Sequence, residues 1–266
     1  MSAAWGVKLF AAPLLIGLAS LAGRRWGPNV AGLMGGLPLV GAPVILAVWL
    51  SHGTDYAEPA ALAAPAGLWG NIVYMLVVGW VSARLRWYTA IPFGWLCYLG
   101  TALLIDLSGH AQSAWLGLAA LPGLWIAARY MLPKPATLPP RVHLPPVELL
   151  ARMAAAAVLV VSLTTATELI GPQFTGLLSG APVAAVVIPA FTFVTAGRDA
   201  LLLTLRGFLT GLIGFGVFFL ILGHTMQALG YYALLPSLLG GVATGLLATQ
   251  LAHQAAAPRD GRQRPS

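Results

Sequence analysis

Apolar residues run along this chain in blocks of about twenty, each closed by a short polar cluster or by a turn-forming Gly or Pro. The blocks fall at 5–23, 29–50, 60–83, 88–107, 114–132, 147–168, 173–196, 200–223 and 228–252. An α-helix rises about 1.5 Å per residue, so some twenty residues cross a hydrocarbon core of about 30 Å. Inside the blocks Ala, Leu, Val and Gly follow one another without alternation of polar and apolar positions, which excludes the strands of a membrane β-barrel. The pattern predicts an all-α polytopic membrane protein with about nine transmembrane helices. The first block is long for the core of a signal peptide and is followed at once by another, so we read it as a retained helix.

Composition agrees with the pattern. The 266 residues are 59% hydrophobic and 8% charged, with mean hydropathy +0.85. Soluble domains carry about a quarter charged residues. The formal charge of +7 could point to nucleic acid, but its distribution points to topology instead. Arg24/Arg25, Arg84/Arg86, Arg129/Lys134/Arg141, Arg198 and the tail arginines follow the odd-numbered blocks, whereas the loops after even-numbered blocks carry no Lys or Arg. Basic loops stay on the cytoplasmic side. The expectation is a cell-membrane protein with its N-terminus outside and its C-terminus in the cytoplasm; Lys8 departs from the rule and can snorkel to the interface.

The blocks repeat. Shifting the sequence by 144 positions places Gly27, Pro28, Gly32, Leu33, Gly36 and Pro38 on Gly171, Pro172, Gly176, Leu177, Gly180 and Pro182. Gly53/Gly197, Asp55/Asp199, Gly67/Gly211, Gly70/Gly214, Gly79/Gly223, Tyr88/Tyr232 and Pro92/Pro236 continue the register without a gap. Chance gives roughly one Gly-on-Gly match over this stretch, far fewer than occur, so it is an internal repeat. Each copy holds four spans and one unpaired span separates them, which turns the second copy upside down. The expected organisation is repeat one over 1–110, a linking span and Pro-rich linker over 111–146, an inverted repeat two over 147–253 and a basic tail over 254–266. Inverted repeats about an in-plane axis recur in secondary transporters.

The repeat gives two prolines a common depth. Pro38 lies ten residues beyond Pro28, about half of the hydrocarbon core, and Pro182 lies equally deep from the other side. A proline within a span frees a backbone carbonyl, which membrane helices tolerate beside other protein or a water-filled cavity. Pro38 and Pro182 therefore frame a candidate midplane site. Thr175 and Ser179 share the second proline helix, and Asn71 and Tyr74 place polar groups midway along the third span, so these four are candidate lining residues. Interhelical packing is the competing role for Asn71, as it is for the glycine pairs Gly32/Gly36 and Gly176/Gly180. Asp55 and Asp199, the acidic pair kept between copies, are candidates for helix caps or gates.

Candidate chemistry is otherwise absent. No P-loop, HExxH, GxSxG or Cys/His ligand cluster occurs, and Cys97 is the lone cysteine, so no catalytic residue, cofactor or metal is expected. The stretch from Phe174 to Phe219, FTGLLSGAPVAAVVIPAFTFVTAGRDALLLTLRGFLTGLIGFGVFF, resembles the small GlpM-type bacterial inner-membrane proteins in its Gly/Pro-marked helix, basic turn and second apolar helix. The resemblance covers one repeat at a time. It implies a fused, inverted duplicate of such a unit and assigns no functional residue. The function expected is transport of a small or lipid-like solute by a carrier or channel, with the bilayer and that solute as partners and no nucleic acid. A non-transporting membrane scaffold is the alternative, and a homo-oligomer is compatible with either.

Overall fold

The computed structural model describes residues 12–137, 146–167, 177 and 183–256, and they are helical throughout apart from short turns. Helix α1 spans Ala12–Trp26, α2 Pro28–Gly36, α3 Pro38–His52, α4 Thr54–Ala63, α5 Leu68–Val81 and α6 Trp87–Leu107. Helix α7 spans Ala114–Ile126 and ends in a π turn over Ala127–Met131. Helix α8 is Pro146–Thr167, α9 is Val183–Leu229, and α10 is Leu234–Ala256 after a 3-10 turn at Gly230–Ala233.

Prolines and glycines place the breaks. Pro28 and Pro38 each open a helix, where the missing N–H costs nothing. Leu37, ahead of Pro38, is extended (φ −65°, ψ 158°), as a residue preceding proline prefers. The second span is thus discontinuous: Pro38 sits at a helix start and not inside a continuous helix. Gly53 (φ 78°, ψ 179°) ends α3 and starts α4. Gly197 (φ 79°, ψ −174°) divides α9 into α9a, before it, and α9b, after it. Both glycines occupy a region closed to residues with a β-carbon, and they are 144 positions apart.

The third block differs from its expected course. Its helix begins at Thr54, six residues earlier, and it is broken between α4 and α5, which meet at 46°. Pro65 and Gly67 stand in that break. The equivalent stretch of α9b, around Leu209 and Gly211, runs straight through as helix.

Helix α9b is the hub. Leu205, Phe208, Leu209, Phe218, Phe219 and Leu222 are buried along it, against α2, α10, α4 and α7. Its pairing with α10 recurs 144 positions earlier as the pairing of α5 with α6. The outer surface is greasy: Leu104, Leu107, Trp115 and Tyr130 are each at least 70% exposed. An apolar surface of this kind suits lipid better than water. Among the described residues, Pro28–His52, Trp87–Leu107 and the stretch Ala184–Ala252 are long and apolar enough to cross a membrane, and α4 with α5 makes a fourth across its bend.

Candidate functional site

Among the described residues, the tightest glycine-mediated contact joins α2 to α9b. A β-carbon on Gly32 would collide with the Thr204 carbonyl oxygen, one on Gly207 with that of Asn29, and one on Gly211 with that of Leu33. On Gly36 it would lie 2.5 Å from the Phe208 oxygen. Two glycines on each helix, four residues apart, let the backbones touch, the geometry in which Cα–H groups meet carbonyls. A matching contact lies 144 positions away. A β-carbon on Gly67 would come 2.5 Å from the Leu177 oxygen, just as Gly211 closes on the oxygen of Leu33. The Tyr98 hydroxyl donates to the same Leu177 oxygen at 2.7 Å.

The residues proposed for the midplane site fall as follows. Pro38 is buried and rests on α10, its Cγ 3.1 Å from where a β-carbon of Gly241 would sit. Asn71 is 1% exposed, and its amide donates to the Gly67 carbonyl of the preceding turn at 3.4 Å. Tyr74 is fully buried, and its hydroxyl donates to the Ala185 oxygen at 2.9 Å, tying α5 to the start of α9a. Pro182, Ser179 and Thr175 lie outside the described residues. Tyr74 thus ties α5 to α9a, Asn71 bonds back to the start of its own helix, and Pro38 packs against α10.

The acidic pair divides in role. Asp55 occupies the first turn of α4, where a carboxylate faces the positive end of the helix. Asp199 reaches across to the segment after α7. It accepts from the Thr137 hydroxyl at 2.6 Å and from the Thr137 and Ala136 amides at 2.9 and 3.1 Å. The hydroxyl bond, then the two amide bonds, hold its carboxyl below the usual carboxylate range. Asp199 lies in the turn after Gly197 and anchors the start of the Pro-rich linker.

Two basic groups gain roles that composition did not signal. Arg152 is buried near the start of α8, donating to Glu148 one turn earlier and lying 5.3 Å from the Phe191 ring. Arg206 turns inward to the π turn of α7. Its Nε donates to the Ala128 oxygen at 3.0 Å, and its Nη2 to those of Pro133 and Leu132 at 3.3 and 3.4 Å. Arg206 stands two turns inside an apolar block, a position from which a long basic side chain commonly snorkels to the interface, but here its guanidinium donates to backbone carbonyls.

A cavity of about 420 Å³ opens beside Arg206, bounded by α2, α7, α9b and α10. Arg129, Lys134 and Arg206 line it together with Asn29, and among the described residues no Asp or Glu does. Leu33, Trp125 and Leu203 form apolar wall. Pro38, Asn71 and Tyr74 do not line this cavity. Among the described residues, no cluster of three or more His, Cys, Asp or Glu is placed to hold a metal. No family model, curated protein or solved structure matches the chain.

Proposed function

We propose that the chain is a transport protein of the cell membrane, a carrier or channel for a small or lipid-like solute, built from two inverted four-span repeats. The observation that carries this reading is the 144-residue register recurring in the backbone. Gly53 and Gly197 share one unusual conformation. Gly67 meets Leu177 as Gly211 meets Leu33. Helices α5 and α6 pair as α9b and α10 do. Each of the two glycine contacts joins one copy to the other, so the copies interlock through equivalent surfaces. Inverted copies about a shared axis can exchange conformations, which exposes a central site to one side and then the other. The discontinuous span at Leu37 supplies an irregular backbone at membrane depth. In this reading α1, α2 with α3, α4 with α5, α6, α7, α8, the helix ending in α9a, α9b and α10 are nine crossings, the arrangement expected of a fused, inverted pair of GlpM-like units.

A scaffold reading is favoured by one observation: the buried hydroxyls of Tyr74 and Tyr98 are spent on carbonyls of the second copy, which locks the copies together. Reconstitution separates the two. Purified protein in proteoliposomes should take up small solutes or scramble lipids, and Asn71→Leu and Ser179→Leu should depress that flux with folded yield retained. Liposomes inert to a broad solute and lipid screen, with a phenotype that depends on a partner protein, would replace transport by scaffolding.

A further inference from the structure

We propose that residues 127–137, the π turn of α7 and the extended segment after it, form a strap that fastens α5 to α9b and lifts as one unit when that face of the molecule opens. Side chains of both helices bond its backbone. From α9b, Arg206 donates to the Ala128, Leu132 and Pro133 oxygens at 3.0, 3.4 and 3.3 Å. Asp199, on the same helix, accepts from the Ala136 and Thr137 amides and from the Thr137 hydroxyl. From α5, the Trp80 indole donates to the Met131 oxygen at 3.0 Å. Leu132 is buried against α5, its Cδ1 2.6 Å from where a β-carbon of Gly79 would sit. Arg198 then joins the two helices directly, donating to the Ser82 hydroxyl at 3.3 Å and the Gly79 carbonyl at 3.4 Å.

Between its ends the strap is stiff. Leu132 is extended (φ −75°, ψ 135°), and Pro133 and Pro135 each fix their own φ. A stiff segment held at both ends passes a displacement of one end on to the other. The Thr137 hydroxyl bond, then the Ala136 and Thr137 amide bonds, hold the Asp199 carboxyl below the usual carboxylate range, so it stays ionised at neutral pH. Movement of the helices, not a proton, is therefore what releases it.

The 144-residue register gives this strap no counterpart among the described residues. Gly223, the equivalent of Gly79, is covered by Leu62 from within α4, and Leu62 is itself the equivalent of Arg206. Thr54, the equivalent of Arg198, accepts from Trp49 of the preceding helix. There α4 and α3 meet the end of α9b and the turn after it through side-chain pairs, Glu58 with Gln227 and Trp49 with Tyr231. The strap also has something to cover. Its residues Ala128, Lys134 and Pro135 wall the cavity beside Arg206, so lifting the strap widens that cavity toward the face of the basic loops.

That this face opens during transport rests on the transport reading; that the strap lifts as a unit does not, and the two are measured separately. Hydrogen–deuterium exchange of the full chain in nanodiscs reads the strap without flux. The Leu132 amide, bonded to the Ala127 oxygen at 3.0 Å, reports one end, and the Ala136 and Thr137 amides report the other. Asp199→Ala should speed exchange by about tenfold at Leu132 as well as at Ala136 and Thr137, and Trp80→Phe should speed it at Ala136 and Thr137. Trp80 and Thr137 are exposed, so Trp80→Phe and Thr137→Val keep the fold and carry the test if Asp199→Ala loses protection throughout α9b. Faster exchange confined to the amides beside each altered bond would overturn the proposal. In a Cys97→Ser background, Thr137→Cys/Asp199→Cys bridged by a short bifunctional methanethiosulfonate should halt proteoliposome flux, and reduction should restore it. Undiminished flux through the bridged protein would overturn the part of the strap in opening. If no form of the chain carries flux, the transport reading falls and exchange alone decides the strap.

Discussion

Two kinds of glycine carry this molecule, and substitution separates them. Gly53 and Gly197 have nothing within 4 Å of a β-carbon, so Ala there meets open space but the wrong backbone. Strain in that region costs about 1–3 kcal/mol, and the two positions should lose similar amounts. Gly32 and Gly207 lie in ordinary helix, but the facing backbone occupies the place of a β-carbon. Gly32→Ala should force α2 off α9b and lose most of the folded protein. Gly100, in α6 with open space around it, is the control; Ala there should be neutral or stabilising by up to about 1 kcal/mol. Melting of the purified variants in one detergent checks the order. If Gly32→Ala melts like Gly100→Ala, the α2–α9b contact is not what holds the fold together. The sequence marked Gly32 and Gly36 as a small-residue packing pair, and the structure places them in such a contact, but it did not mark Gly207, whose equivalent position is Ala63. Gly53 and Gly197, each at a polar turn beside an Asp, carried a local sign of their role.

At the scale of elements, the apolar blocks placed the helices well but not their interruptions. The break at Leu37 was legible because Pro38 stands within an apolar run. The break between α4 and α5 was not, because the sequence from Ala60 to Leu68 stays apolar through its turn and hydropathy does not register a change of direction. The role of Pro38 is open to a direct test. Its ring is what bars the helix ladder from continuing through Leu37. Pro38→Ala should allow α2 and α3 to join, with melting unchanged or raised. If the discontinuity serves a moving site, flux in proteoliposomes should fall severalfold in the same variant. Unchanged flux would make the break a device for packing Leu37 and Pro38 onto Gly245 and Gly241 of α10.

For the whole molecule, the proposed function follows from whether the chain holds two inverted copies. The charge pattern along the loops motivates that reading, and the contacts of Gly67 and Gly211 fit two copies sharing an axis. Candidate polar residues were found in sequence, but the cavity was not, because its cations come from α7, its following loop and α9b, more than seventy residues apart, and each also obeys the positive-inside rule. Inversion itself can be tested without any substrate. Ser51 and Thr195 are equivalent positions, both exposed and each two residues before its glycine break. With Cys97→Ser as background, Ser51→Cys should react with a membrane-impermeant maleimide added to intact cells. Thr195→Cys should react only when the cytoplasmic face is opened to the reagent. Two copies with the same orientation would label together from one side. That outcome would end the inverted-repeat reading, and with it the transport proposal that rests on it.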